Sequence, residues 1–257
     1  MAFVRAKVEI AETAATIAAE GVFVEPAVDA IKAARREIER QVRRDQYFLT
    51  TMEPYTPDDP GPTVRRMCEA AAVAGVGPMA TVAGTIAQVA LEAMMAQGCD
   101  HGWVDNGGDV ALVLSRPATM EVFHEPGART AFALRLEPTG KGIGVCTSSG
   151  RLGHSISLGD ADVALAMADS AVLADALATA IGNRVRGTSA LGTCFDPFKG
   201  IPGMIGGLAM VDGEVAMYGR LPELVEVEHN QERLTVHSSM PSQCYSGSST
   251  KTQGVKT

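Results

Sequence analysis

The sequence predicts an α+β fold, because strand-like and helical patterns occupy separate parts of the chain. Short apolar runs divided by Gly, Pro or Asp cluster between residues 103 and 146, as strands do. A long helical pattern precedes them, with apolar residues at Val28, Ile31, Ala34, Ile38 and Val42. At 257 residues the chain can bury a full core, as one large domain or two small lobes.

The first part of the chain is mainly helical. Val4–Ile10 alternates as a half-buried strand does, and Pro26 suits the first turn of an amphipathic helix that runs to about Arg44. The arginines of this helix are interpreted as solvated surface charges: Arg35, Arg36, Arg43 and Arg44. Four prolines exclude regular structure over Met52–Pro62, a long connection of the kind that forms lids or site walls. Two further helices are predicted, over Thr63–Ala74 and Met79–Gln97.

The later part of the chain carries most of the strands. Five short runs are predicted as strands: Trp103–Asn106, Val110–Leu114, Met120–Phe123, Ala131–Leu136 and Ile143–Cys146. Val163–Met167 follows them, and Gly207–Val211 with Val215–Tyr218 indicates a hairpin around Asp212-Gly213. Residues 1–237 are expected to form one domain, and the Ser/Thr/Gln/Gly-rich residues 238–257 a disordered tail.

Composition argues against several classes of function. The net charge is −8 and aromatic residues make up 5% of the chain, so no nucleic-acid partner is expected. The amino terminus lacks a signal peptide and no run approaches a membrane span, which predicts a cytoplasmic protein with no membrane partner. The five cysteines include no Cys-x-x-Cys pair, so neither a zinc site nor a disulfide framework is expected.

Asp175 is the only charged residue in Ala171–Gly182, an alanine-rich stretch that is apolar all round and therefore expected to be a buried helix. A carboxylate is almost never buried without a cation, a metal or hydrogen-bond donors. Thr179 lies one helical turn later, so the two side chains share a face. Two hard oxygens suit Mg²⁺, which makes Asp175 and Thr179 candidate metal ligands. The alternative is an Asp that accepts hydrogen bonds from a neighbouring loop.

A glycine-rich turn at Gly75–Ala80 leads directly into a predicted helix. A helix N-terminus offers free N–H groups and a partial positive charge, so it is a ready anion site. The candidate cofactor contacts there are Gly77, Met79 and Ala80. The alternative is a glycine-proline turn followed by tight helix packing.

A second glycine pair lies between two predicted strands, in Asn106-Gly107-Gly108-Asp109. As an ordinary hairpin turn this segment needs no functional explanation. It can also bring main-chain N–H groups against a phosphate or a ring edge, so all four residues are candidate cofactor contacts. The sequence alone favours the turn.

A loop rich in hydroxyl groups follows the predicted strand that ends at Cys146, and such loops often carry function because a rigid scaffold positions them. Its candidate cofactor contacts are Thr147, Ser148, Ser149, Gly150 and Arg151. Arg151 is a candidate phosphate clamp and His154 a candidate general base, although a loop histidine is also a common surface residue. Cys146 is a further candidate, as a nucleophile, provided that nearby donors or Arg151 lower its pKa.

Four motifs taken in order resemble the ApbE-like superfamily: GVGPMATVAGTIAQ, NGGD, TSSGRLGHS and ADALATAIGN. The resemblance covers roughly Val4 to Met217 and is greatest to a short, cytosolic, largely uncharacterised branch. It implies an α+β architecture of the T-fold type, in which helices pack on one side of an antiparallel sheet. ApbE proteins bind FAD and use Mg²⁺ to transfer FMN onto a threonine of an acceptor protein.

The resemblance also implies roles for particular residues. The metal-binding Asp and Thr of ApbE proteins match Asp175 and Thr179, and their glycine pair matches Gly107-Gly108. Their Thr-Ser-Gly loop matches residues 147–150, and the histidine that follows it matches His154. Two departures stand out: Ala83 occupies the position of a usual lysine, and Ser155–Asp160 replaces a Pro-x-x-Gly segment.

Three hypotheses of function follow. The first is a Mg²⁺-dependent protein that binds FAD, FMN or another nucleotide and transfers part of it to a protein acceptor. In this hypothesis Asp175 is largely buried and faces the loops at 106–109 and 147–154. The second is a non-catalytic accessory or carrier protein in sulfur assimilation toward homocysteine, a role that the resemblance also suggests. The third is a thiol enzyme that uses Cys146. The sequence does not fix the substrate or the acceptor, and it leaves open whether the chain forms a homo-oligomer.

Overall fold

A computed structural model describes residues 2–123, 129–149, 159–228 and 234–235. The strands of this part are β1 (Phe3–Ile10), β2 (Thr13–Glu20), β3 (Gly102–Asn106), β4 (Asp109–Val113), β5 (Ala118–Phe123), β6 (Thr130–Leu136), β7 (Ile143–Ser148), β8 (Val163–Ala168), β9 (Met204–Val211), β10 (Glu214–Gly219), β11 (Glu223–Glu228) and β12 (Leu234–Thr235). The α-helices are α1 (Val24–Arg44), α2 (Gln46–Thr50), α3 (Pro62–Ala74), α4 (Val82–Ala96) and α5 (Ala171–Arg184). Short 3-10 turns occupy Gly21–Phe23, Pro78–Thr81, Thr188–Ala190 and Asp196–Phe198.

The strands form two sheets. The larger has eight strands in the order β1-β2-β3-β4-β7-β8-β9-β10, and each neighbouring pair is antiparallel. The smaller has the order β11-β6-β5-β12 and is parallel only between β12 and β5. Short turns join β1 to β2, β3 to β4 and β9 to β10, whereas the helices are inserted between β2 and β3 and between β8 and β9.

The two faces of the larger sheet are covered by different layers. Along β4, Ala111 and Val113 pack into a core shared with the helices, whereas Val110 and Leu112 pack into a second core shared with the smaller sheet. This is the two-residue alternation of a strand that is buried on both faces. The predicted α+β fold, an antiparallel sheet with helices packed on one side, is confirmed. The second sheet, which covers the opposite face, was not predicted.

Most predicted elements are present, and their ends differ by a few residues. The prediction missed β2 because its sequence, TAATIAAE, is rich in alanine, which is depleted in strands. It also missed β11 and the five-residue helix α2. The proline-rich connection has no regular structure over residues 51–61, as expected. The assignment of residues 1–237 to one domain stays a prediction, and the tail at 238–257 lies outside the described residues.

One segment corrects the expectation that no run approaches a membrane span. Pro78–Ala96 has 19 residues and is apolar enough to cross a membrane, by length and composition only. Half of its apolar window is buried, and α4 packs against α1, α5 and the larger sheet. The core helix of a soluble protein passes the same test, so this segment is weak evidence for a membrane.

Arg35 corrects another expectation, since it is not a solvated surface charge. Its side chain is buried where α1 crosses the turn between β1 and β2. The guanidinium donates hydrogen bonds to Thr13 Oγ1 at 2.6 Å, to Glu12 Oε2 and to Glu39 Oε1 at 3.1 Å. The helical spacing put Arg35 beside the apolar stripe and Glu39 one turn along the same helix, but only the fold brings Glu12 and Thr13 to the guanidinium.

Candidate functional site

Helix α5 carries the predicted metal ligands. It begins after Ser170, whose hydroxyl accepts a hydrogen bond from the Leu173 N–H at 3.3 Å as an N-cap. Its first residue, Ala171, is held tightly between two glycines. A Cβ placed on Gly84 of α4 would lie 2.3 Å from the Ala171 oxygen, and one placed on Gly144 of β7 would lie 2.3 Å from the Ala171 Cα. Glycine at both positions therefore lets α5 pack directly against α4 and the sheet.

Asp175 is buried as expected, with 7% of its surface exposed. Its Oδ2 accepts a hydrogen bond from the Gly84 N–H at 2.8 Å, in the first turn of α4. The hydrogen-bonding interpretation is thus correct, although the donor belongs to a helix N-terminus instead of a loop. A carboxylate is favourable there because the first N–H groups of a helix lack intrahelical partners. The Gly84 contact uses only one of the two oxygens of Asp175.

The glycine pair forms the turn that joins β3 to β4. Gly107 and Gly108 both have positive φ, 70° and 104°, and Asn106 pairs with Asp109 across the turn. This is a two-residue hairpin, as the simpler interpretation predicted. The turn also lies at the start of α4, because Asn106 Nδ2 donates a hydrogen bond to the Ala83 carbonyl oxygen at 3.2 Å. The NGGD segment is therefore both an ordinary turn and part of the same cluster as Asp175.

Asp109 is the second buried carboxyl group of this cluster. It is 8% exposed, and its Oδ1 has no hydrogen-bond partner among the residues that the structure describes. Burial raises the pKa of Asp109 well above its usual range, and the charge of Asp175 raises it further. Burial likewise raises the pKa of Asp175 to about 7, against the opposing hydrogen bond from Gly84. Two acidic groups that disfavour each other's ionisation are thus enclosed together.

The hydroxyl-rich segment begins in β7, next to the glycine turn. Both the N–H and the Oγ1 of Thr147 donate to the Gly108 carbonyl oxygen, at 3.2 and 3.3 Å. Ser148 and Ser149 are buried, and Ser148 Oγ has no partner among the described residues. The remaining predicted contacts of this loop, Gly150, Arg151 and His154, lie outside the described residues. Of this segment, Thr147 contacts the glycine turn directly, and Ser148 and Ser149 follow it in sequence.

The turn before α4 has a packing role. A Cβ on Gly77 would lie 2.0 Å from the Thr51 carbonyl oxygen, so this glycine allows the connection at 51–61 to approach closely. Met79 and Ala80 belong to the 3-10 turn Pro78–Thr81 and are partly buried against the helical core. Within the first turn of α4 proper, the observed anion is the carboxylate of Asp175. The roles of Gly77, Met79 and Ala80 in binding a cofactor stay predictions.

Few side chains of the cluster could bind a metal, and their donor atoms are oxygens. Thr179 lies one turn after Asp175 on α5 and is partly exposed. No group of three or more His, Cys, Asp or Glu side chains that could hold a metal is found among the described residues. Carboxylate and hydroxyl oxygens from Asp175, Thr179 and Asp109 fit Mg²⁺, which takes few protein ligands and keeps water or phosphate in its shell. They do not fit zinc, which takes nitrogen and sulfur ligands in closed sites.

Cys146 is packed beneath the two carboxyl groups. It is fully buried, and its thiol donates a weak hydrogen bond to the Ala171 carbonyl oxygen at 3.4 Å. Burial, followed by the charges of Asp109 and Asp175, raises the pKa of this thiol well above its usual range. A protonated, inaccessible thiol is a poor nucleophile, so the geometry disfavours the hypothesis of a thiol enzyme.

Sequence reasoning expected N–H groups at the start of this helix to bind an anion, but did not identify which main-chain groups of α4 contact the cluster. Ala83 supplies a carbonyl oxygen and Gly84 an N–H group, neither of which leaves a side-chain signal. Gln88 was also missed: its Oε1 accepts from the Ala171 N–H at 2.8 Å and fixes the start of α5. A small residue and an amide on the face of α4 that meets α5 were the available signals. Asp109 was recognised, but as a cofactor contact and not as a partner of Asp175.

Comparisons with known proteins agree with this architecture. A family model described as AbpE bacteria matches residues 2–193. A relative from Methanocella arvoryzae, named UPF0280 protein, is 44% identical over 231 residues, which cover 90% of this chain and 94% of the relative. The apo form of the flavinyl transferase ApbE from Pseudomonas stutzeri is similar in structure, with a TM-score of 0.57 and 11% identity over 86% of this chain and 95% of that one. The ApbE protein from Thermotoga maritima has a TM-score of 0.54 and 14% identity, over 84% and 97% of the two chains. At these identities, the two structures establish the fold alone.

Proposed function

This chain belongs to the family described as AbpE bacteria, and we propose that it is a Mg²⁺-dependent protein that binds a flavin or another nucleotide and acts as a transferase. One observation carries the proposal. Two buried carboxyl groups, Asp109 and Asp175, lie together beside a glycine turn, and Asp109 Oδ1 has no partner among the described residues. Such a pair is costly in the absence of a cation, which suggests that the site is built for one.

The residues that would hold Mg²⁺ are Asp175, Thr179 and Asp109. Asp175 and Thr179 present oxygens on one face of α5, and Asp109 approaches from β4. Gly84 fixes one oxygen of Asp175, so the carboxylate is oriented before a metal arrives. Bound there, Mg²⁺ would supply the positive charge that offsets the carboxylates and a pyrophosphate group.

The nucleotide is expected beside the glycine turn. Gly107 and Gly108 carry no side chains, so a phosphate or a ring edge can come close to the main chain there. Ser148 Oγ, which is buried and without a partner among the described residues, is an available donor or acceptor. Gly150, Arg151 and His154 remain predicted contacts of the same site. The flavinyl transferase activity named for the Pseudomonas stutzeri protein makes a flavin nucleotide the first ligand to test and a protein the expected acceptor.

The test is calorimetric titration of the full chain with FAD, FMN and ADP, each with Mg²⁺ and with EDTA. We expect binding that needs Mg²⁺ and that Asp175→Asn weakens roughly 10- to 100-fold, the range seen when groups that support a metal site are removed. Asp29→Asn is the matched control, because Asp29 is an exposed carboxyl group on α1. Equal loss of binding in both variants would contradict the role of Asp175.

A negative result would separate the remaining hypotheses. If none of the three ligands binds with or without Mg²⁺, the flavin proposal fails, and the hypothesis of a carrier in sulfur assimilation becomes the one to pursue. At present no observation among the described residues favours that carrier role. Localisation in the cytoplasm stays part of the proposal.

A further inference from the structure

The larger sheet ends in two edge strands of different character, β1 and β10. In the part of the chain that the structure describes, β10 pairs only with β9 and leaves its other edge without a strand. Val215 and Met217 point to one face of β10 and are 45% and 51% exposed. An exposed edge with apolar side chains and no proline is a site at which another strand can be added.

The backbone groups of β10 are arranged for such an addition. Asp212 and Gly213 have φ of 50° and 79° and form the two-residue turn from β9, with Val211 opposite Glu214. A turn of this kind closes on a hydrogen-bonded pair, and hydrogen-bonded and non-bonded pairs then alternate along the strands. The N–H and C=O groups of Val215 and Met217 therefore point away from β9, toward the open edge.

We propose that two copies of this chain associate through β10, paired antiparallel about a two-fold axis, so that their larger sheets become continuous. Two registers pair five residues of the strand. One places Ala216 opposite its own copy and Val215 opposite Met217 of the second copy; the other places Met217 opposite its own copy. Both bring the exposed apolar side chains of the two copies together on one face, where pairing removes them from water.

Charge complementarity selects a second copy as the occupant of this edge. Glu214 begins β10 and Arg220 follows its end, and both are exposed. In the register that places Met217 opposite its own copy, Glu214 lies directly opposite Arg220 of the second copy. In the register that places Ala216 opposite its own copy, the two residues are diagonal neighbours. Each dimer therefore brings together two pairs of opposite charge. Within one chain the two residues are about 20 Å apart along an extended strand, too far to pair.

The β1 edge is less suited to pairing with itself, because it brings like charges together. Of the two longest antiparallel registers of β1 with itself, one places Arg5 opposite Lys7, and the other places Arg5 opposite Glu9 but Lys7 opposite Lys7. Like charges directly opposite each other are destabilising, and lysine on an edge strand is a common protection against pairing. Neither register of β10 places like charges opposite each other, so self-association is expected at that edge.

The first experiment is sedimentation velocity of the full chain across the micromolar range. Five residue pairs make a small interface, so the dimer is expected to form with concentration, at twice the mass of 26.8 kDa. Met217→Lys is expected to leave only the monomer, because it places a charge in the apolar contact. The matched control is Val73→Lys on α3, since Val73 is also 51% exposed. A monomeric natural chain, a dimer that persists in Met217→Lys, or equal dissociation in Val73→Lys would each overturn the proposal.

Charge reversal tests the orientation of the pairing. Glu214→Arg and Arg220→Glu are each expected to weaken the dimer, whereas the double variant restores opposite charges across the two-fold axis and should recover it. Failure of the double variant to recover the dimer would contradict the antiparallel arrangement. Hydrogen exchange adds a local readout: the amides of Val215 and Met217 should gain protection as concentration rises. If they are protected equally at every dilution, the chain covers its own edge and the proposal is wrong.

Discussion

Two places in this molecule bury charge, and they do so in opposite ways. At the turn between β1 and β2, Arg35 is surrounded by partners, since Glu12, Glu39 and Thr13 accept its hydrogen bonds. Between β4 and α5, Asp109 and Asp175 lie close to each other with no described cation beside them. The first cluster is neutralised within the protein. The second has a deficit of positive charge.

The difference shows where a ligand is expected. Burial of a charge is costly, and a fold gains nothing from leaving the charge unpaired. The Arg35 cluster is explained by the fold itself, because Glu12 and Thr13 reach it from the turn between β1 and β2 and Glu39 from the next turn of α1. Only its Nε has no partner among the described residues. The carboxyl pair is not explained in this way, and a cation would complete it. The predictions below perturb each cluster and are ordered by the size of the expected effect.

The largest expected effect is a loss of stability of the metal-free protein as pH rises from about 4 to about 7. Burial raises the pKa of Asp175 from 3.8 to about 7, so the folded state binds more protons than the unfolded state within this window. Stability is therefore greatest at the acidic end and falls while the group is ionised in the unfolded chain but still protonated in the folded one, by about 4 kcal/mol for a shift of this size. Urea unfolding at pH 5 and pH 8 in EDTA measures the part of the loss between these values, about 2–3 kcal/mol. Saturating Mg²⁺ should reduce it, because the cation compensates the ionised pair.

Two other carboxyl groups titrate in or near the same window and must be separated from Asp175. Burial also raises the pKa of Asp105 to about 7, so Asp105 adds a loss of stability in the same direction, which its partial contact with solvent reduces. Burial raises the pKa of Asp109 as well, so its effect on stability has the same sign as that of Asp175. A pH dependence that is unaffected by Mg²⁺ would assign the loss to Asp105 and count against a metal between Asp109 and Asp175.

Asp175→Asn is expected to stabilise the metal-free protein at pH 8. It should recover part of the roughly 4 kcal/mol of unfolding free energy that ionisation of Asp175 removes. The amide oxygen can still accept the hydrogen bond from Gly84, while the charge that opposes Asp109 is removed. The same variant should lose the stabilisation that Mg²⁺ gives to the natural chain. Thermal unfolding in EDTA and in Mg²⁺ measures both effects, with Asp29→Asn as the control. A fall in the metal-free melting temperature would mean that Asp175 serves the fold instead of a ligand.

Gly84→Ala tests whether the carboxyl pair depends on close packing of α4 and α5. The new methyl group would lie 2.3 Å from the Ala171 carbonyl oxygen and 2.7 Å from the Asp175 Cβ, so the helices must separate. We expect a loss of about 1–3 kcal/mol and weaker Mg²⁺-dependent stabilisation. Gly192→Ala is the control, because a Cβ there meets nothing within 4 Å and its φ is not positive. Equal stability of the two variants would show that the contact is not needed.

The two clusters also show what the sequence can and cannot predict. Apolar spacing predicted most helices and strands, because periodicity follows directly from helix and strand geometry. It did not predict β2, whose alanines carry a weak strand signal, or which strands belong to which sheet, since pairing depends on contacts between distant segments. The antiparallel sheet and the ApbE-like fold came from the motif resemblance and are confirmed.

The candidate site was predictable in its components and in part of its arrangement. Asp175 was found because one charge interrupts an apolar helix, a signal that is visible in the sequence alone, and it was expected to face the turn at 106–109. Its pairing with Asp109 as a second buried carboxyl group was not expected, because only the adjacency of β4, β7 and α5 brings the two side chains together. Arg35 shows the reverse error: a charge on an amphipathic helix was taken for a surface group because its partners at Glu12 and Thr13 lie on another element.

The smallest expected effect belongs to the neutralised cluster, at Arg35. Arg35→Met keeps the apolar stem and removes the guanidinium, which leaves the buried Thr13 hydroxyl without its donor. Glu12 and Glu39 are exposed or half-exposed and regain water, so most of the cost comes from Thr13 and should be about 1–2 kcal/mol. Because no ligand is expected here, the loss should be the same in EDTA and in Mg²⁺, and equal at pH 5 and pH 8. Urea unfolding of Arg35→Met beside Arg36→Met, an exposed neighbour, measures it. A loss that changes with Mg²⁺ would mean that the two clusters are coupled. The Arg35 cluster could then no longer be explained by the fold alone, in contrast to a carboxyl pair that needs a cation.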